Sequence, residues 1–188
     1  MYRYPNFDPN VFTPRQLEVY ERIASGQRKA VTGPLRIWLH NPELADLAQA
    51  LGEYCRFGSA LPPRLSELAI VTTAAHWRSG YEWAAHERHA LNAGVSGDAL
   101  CAIAANRAPS FEQTDAEATF KFSHELLKTG RVSDATWRLA LGELGMAGVV
   151  DLVGILGYYG LISMTIAAFE LPAPAGASDP FVTSTCSR

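Results

Sequence analysis

Apolar positions along this chain recur at helical spacing, and strand-like alternation never extends beyond a few residues. Thr13-Pro14 opens "RQLEVYERIASG", which sets Leu17, Tyr20 and Ile23 on one side and stops at Gly26. Asn41-Pro42 opens "ELADLAQALGEYCRFG", where Leu44, Leu47, Ala48, Leu51 and Tyr54 predict the packed face of a helix ending at Gly58. "LPPRLSELAIVTTAAHW" starts on a proline pair and runs without glycine to residue 80, and "YEWAAHERHALNAG" continues to Gly94, so two helices meet near Ser79-Gly80. Ser96, Thr114-Asp115 and Ser133-Asp134 stand as capping residues ahead of three more. "VTGPLRIWLH" at 31–40 reads as loop or a short turn of helix. The pattern predicts an all-α, single-domain bundle of about eight helices.

The segment 145–169, "GMAGVVDLVGILGYYGLISMTIAAF", approaches the ~20 apolar residues that span a bilayer. Asp151 interrupts it, and Tyr158 and Tyr159 fall in its middle rather than at its ends, so a buried core helix is the expectation. "PAPAGASDPFVTSTCSR", at 172–188, reads as a flexible tail, and 1–32 as an N-terminal extension with one helix, leaving 33–171 as the main domain.

Composition narrows the function classes. The chain has 188 residues, 48% apolar and 19% charged, enough for one sizeable core. With 16 Lys+Arg against 19 Asp+Glu the net charge is -3, and no basic block marks a nucleic-acid or membrane partner. Three widely spaced cysteines, Cys55, Cys101 and Cys186, and no apolar leader at the N-terminus point to a reduced, cytoplasmic protein. No dinucleotide fingerprint, P-loop, C-x-x-C or G-x-S-x-G is present, so no cofactor is expected.

The densest chemistry lies at 67–89. Ser79 and Glu82 form S-x-x-E, the reciprocal capping box of a helix start, and that is the plain structural reading of both. Yet His86 follows Glu82 at i+4 and His89 at i+7, on one helix face. A carboxylate beside an imidazole raises its pKa and orients it, as proton transfer near neutral pH requires. Glu67 sits in "LSELAIVTTAA", apolar on nearly all sides, so it is expected to be buried and to need a partner. His86, Arg64, Arg78 and the amides opening the next helix are the candidates. "HERH" is not the H-E-x-x-H zinc pattern, and no cysteine is close, so no metal is expected.

The run from "GPLRIWLHNPELADLAQALGEYCRFG" through "LPPRLSELAI", "YEWAAHERHAL" and "AGVS", with the later "VVDLVGILGYYGLISMTIAAF", resembles the carboxymuconolactone decarboxylase family, related to alkylhydroperoxidase D. The resemblance implies an all-helical fold assembling as homotrimers or homohexamers. Peroxidase relatives carry E…C-x-x-C-x-x-x-H; Glu67 and His86 match its ends, while Ser79 and Glu82 occupy the cysteine positions. The resemblance therefore implies the decarboxylase-type branch, a lyase of aromatic-compound breakdown acting on a small carboxylated lactone or related acid. Its implied catalytic residues are His86 as general acid/base with Glu67 and Glu82. Ser79, Tyr81, Trp83, Arg64, Arg78 and His89 are the expected substrate-binding residues. A non-catalytic oligomeric small-molecule-binding protein of the same fold is the alternative.

Overall fold

The computed structural model describes residues 3, 6–174, 176–177 and 179–182. Among them are a 3-10 turn, Pro9–Val11, and eight α-helices. These are α1 (Pro14–Ser25), α2 (Pro34–Trp38), α3 (Pro42–Glu53), α4 (Pro63–His76), α5 (Gly80–Asn92), α6 (Gly97–Ala104), α7 (Thr114–Thr129) and α8 (Asp134–Ala168). No strand occurs among the described residues. The all-α bundle read from the apolar spacing is the observed architecture, and the uncertain stretch at 31–40 holds the short α2.

The helix starts follow local chemistry. Thr13 and Gln16 make a complete capping box on α1, and Asn41, Ser96 and Ser133 each accept a backbone N–H of the helix they open. Thr114 lies inside α7 rather than capping it, and its hydroxyl donates to Glu143 Oε2 at 2.9 Å. Within α8, Gly145 takes φ 67°, so the amphipathic turn after Ser133 and the apolar run after it are two helices joined at a kink.

α4 is the centre of the fold. It packs against α5, α6, α7 and α8, and ten consecutive residues, Leu65 through Ala74, are buried. Around it lie Leu152, Ile155, Leu156, Tyr158 and Tyr159 of α8 and Phe122 of α7. α8 is long and apolar enough to cross a membrane by length and composition. The acid within its apolar stretch is anchored in the protein: Asp151 accepts the Tyr54 hydroxyl at 2.8 Å and the Ala60 N–H at 2.6 Å.

On α3 the predicted packed face holds only at Ala48. Ala45, Ala48, Gln49 and Gly52 are buried, whereas Leu44, Leu47, Leu51 and Tyr54 are exposed, Leu47 at 75%. Close approach explains the choice: Gly52 lies so near Tyr158 and Arg28 that a Cβ there would overlap both side chains. The small-residue side of α3 therefore faces the core and the leucine row does not.

The segment after α8, read from sequence as a tail, turns back over the bundle where it is described. Phe181 is buried edge-on against Trp83 at 5.5 Å, and Arg78 donates to its carbonyl. Cys186 lies outside the described residues.

Candidate functional site

Glu67 projects from α4 toward α5, and its Oε2 lies 2.7 Å from His86 Nδ1. One turn before His86, Glu82 brings Oε1 to 3.2 Å from His86 Nε2. Both ring nitrogens thus face a carboxylate. All three residues are buried, with His86 only 4% exposed. Tyr159 of α8 closes the cluster, its ring 5.2 Å from the imidazole at 85°.

Burial alone would strip the charge from His86, but the hydrogen bond to Glu67 and then the contact with Glu82 outweigh it and hold the imidazole pKa up at about 9. His86 is therefore a cation at neutral pH. Burial, followed by the Glu82 charge, pushes the Tyr159 hydroxyl well above its ordinary range. That phenol stays protonated.

The capping-box reading of Ser79 and Glu82 does not hold. Ser79 is the N-cap of α5, yet its side chain makes no cap bond, and the Glu82 carboxylate turns away to His86. Pairing a buried imidazolium stabilises Glu82 more than a terminal amide would. Ser79 Oγ is left buried without a partner, as is Ser163 Oγ, and both residues line one cavity of about 360 Å³ that Arg78, Tyr81 and Asp179 also border. Ser79 is one turn from Glu82, and Ser163 is one turn from Tyr159, although none of Glu67, Glu82, His86 and Tyr159 lines the cavity itself.

The other expected binding residues divide. Tyr81 borders that cavity, and its ring lies so near Gly33, itself at φ 53°, that a Cβ there would overlap the ring. Trp83 is core, packed on Phe181. Arg64 pairs with Asp115 at 2.7 Å and Arg78 binds the Phe181 carbonyl, so neither partners Glu67. The amides opening α5, also expected as candidate partners of Glu67, have another carboxylate beside them: Asp179 lies so close to Gly80 that a Cβ there would overlap it. His89 sits 5.8 Å from His86, ring to ring, with Arg56 Nη2 3.3 Å from its Nε2.

Sequence reasoning passed over Arg56, Tyr159, Ser163 and Asp179. Arg56 is placed by a π-helical turn, Tyr54–Gly58, that continues α3. A buried tyrosine pair in an apolar helix, Tyr158-Tyr159, was the available signal for the α8 contribution. Cys55 has no thiol role here. Burial, then the Asp151 charge, pushes its thiol up to about 11.

Residues 42–125 match the carboxymuconolactone decarboxylase family. No curated protein matches the sequence. Among solved structures, the crystal structure of an uncharacterized peroxidase-related protein from Silicibacter sp. TM1040 is similar, with a TM-score of 0.73 at 12% identity over 92% of each chain. At that identity the likeness is one of fold, an all-helical bundle. The matched segment carries Glu67, Glu82 and His86, so it is this part of the chain that is similar to the carboxymuconolactone decarboxylase family.

Proposed function

We propose that this protein is a cofactor-free proton-transfer enzyme, a decarboxylase-like lyase acting on a small carboxylated lactone or a related acid of aromatic breakdown. The observation that carries the reading is the buried Glu67–His86–Glu82 cluster, which keeps an imidazolium available at neutral pH. The reaction breaks the bond between the substrate carbon and its carboxylate. Carbon dioxide leaves, the electron pair stays on carbon and spreads to the lactone carbonyl, and a proton from His86, passed directly or through Glu82, completes the product. Water then reprotonates the cluster. The cavity beside Ser79 and Ser163 supports placing the lactone there, because two buried hydroxyls without partners are donors for a carbonyl oxygen that gains charge.

Thiol peroxidase chemistry is disfavoured, since Ser79 and Glu82 stand at the two cysteine positions of the peroxidase pattern. Non-catalytic ligand binding is the second reading, and what favours it is that His86 is deeply buried with both nitrogens already paired. Carbon dioxide release from a panel of carboxylated lactones separates the two. The native protein is expected to turn over at least one, and His86→Ala to fall by roughly 100-fold or more while keeping its helical circular dichroism. A folded native protein inert to the panel, or an equally active variant, would contradict the enzyme reading.

A further inference from the structure

On the side of α4 away from Glu67, a second cavity of about 460 Å³ opens between α4, α6 and α7. Thr72, which lines it, follows Glu67 by five residues, about 140° around the helix. None of Glu67, Glu82, His86 or Tyr159 lines this cavity. Its charged and ionisable lining residues are His76, Arg78, Arg107, His124 and Lys128, with no aspartate or glutamate.

Arg78 spends a guanidinium N–H on the Phe181 carbonyl. Arg107, Lys128, His76 and His124 form no ion pair with an acid among the described residues. Burial, and behind it the neighbouring Lys128, push the His124 pKa down and favour its neutral ring. Arg78, Arg107 and Lys128 around one concavity, with no acid in its wall, leave a place for an anion. Part of the wall is apolar: Phe120 stacks on His124 at 5.4 Å and 19°, and Ile103 and Leu127 line the same cavity, along with the polar Thr72 and Asn106. A bare inorganic anion would leave most of that volume unfilled, and the size lies in the range of small-molecule sites.

We propose that this cavity binds a small aromatic carboxylate, its ring along the Phe120–His124 stack and its carboxylate between Arg107 and Lys128. The site is distinct from the proton-transfer cluster and does not depend on that cluster's activity.

Titration calorimetry of the full chain with benzoate, with inorganic phosphate as the control anion, tests this. One benzoate site is expected, weakened about tenfold or more by the double substitution Arg107→Ala with Lys128→Ala, retained by Arg107→Lys with Lys128→Arg, and stronger than phosphate binding. Both residues are exposed, so neither change should unfold the protein. In nuclear magnetic resonance spectra benzoate should move the His76 and His124 ring signals and leave His86 unmoved. No benzoate binding, equal binding by the alanine variant, phosphate binding as tightly, or a shift confined to His86 would overturn the proposal.

Discussion

The hydroxyl of Ser79 has no hydrogen-bond partner although Ser79 begins α5, so removing it should not cost what loss of an N-cap costs. A working N-cap is worth about 1 kcal/mol; Ser79→Ala is expected to be neutral within about 0.5 kcal/mol, or slightly stabilising, in urea unfolding. A loss of 1 kcal/mol or more would restore the capping role. His86 behaves oppositely, because its partners are what keep it charged. Its folded pKa of about 9 lies above the ordinary 6.5, so its contribution to stability is fully present below about pH 6.5 and is lost as pH rises through about 9. Urea unfolding free energy should fall by on the order of 3 kcal/mol across that window, and should stay flatter there in His86→Gln. Of these residues, Glu67 was legible in the sequence because an acid inside a run apolar on every side must be buried and paired. Glu82 was ambiguous, since S-x-x-E is equally a box and half of a pair, and only the neighbouring helix decides between them.

At the scale of elements, capping residues and prolines marked most helix starts, while facing was harder to read. The leucine row of α3 has the right period for a core stripe, but Gly52 lies against Tyr158 and, with the buried Ala45 and Ala48, takes the inward side. Period shows that a stripe exists; it does not say which neighbour claims it. α8 offers the converse case, where one polar residue in an apolar helix ties two elements together. Asp151 holds the π-helical turn through Tyr54 and the following loop through the Ala60 N–H. Asp151→Ala should therefore cost about 2 kcal/mol in urea unfolding, since it leaves a backbone donor and a phenol without their acceptor. It should also lower the Cys55 thiol pKa, which the Asp151 charge helps to raise. An unchanged unfolding midpoint would mean that water replaces both bonds at no cost.

Taken as one molecule, the candidate site is assembled from segments far apart in the chain. Glu67 and His86 are 19 residues apart and were visible together, but Tyr159 and Ser163 come from α8, and Asp179 and Phe181 from the segment beyond it. Arg78 meets Phe181 across 103 residues, a pairing that no local pattern encodes. The sequence carried the acid–histidine pair and the helical class; packing of α8 and the C-terminal segment decided what surrounds them. The central claim is that this assembly holds a proton on a buried histidine at neutral pH. The most direct measurement is the pH titration of the His86 ring signals by nuclear magnetic resonance, assigned by their loss in His86→Gln and repeated in Glu67→Gln. The native ring should titrate near pH 9 and move toward its ordinary value of about 6.5 when Glu67 loses its charge. A native ring that titrates at or below 6.5, or one that Glu67→Gln leaves unmoved, would contradict the account.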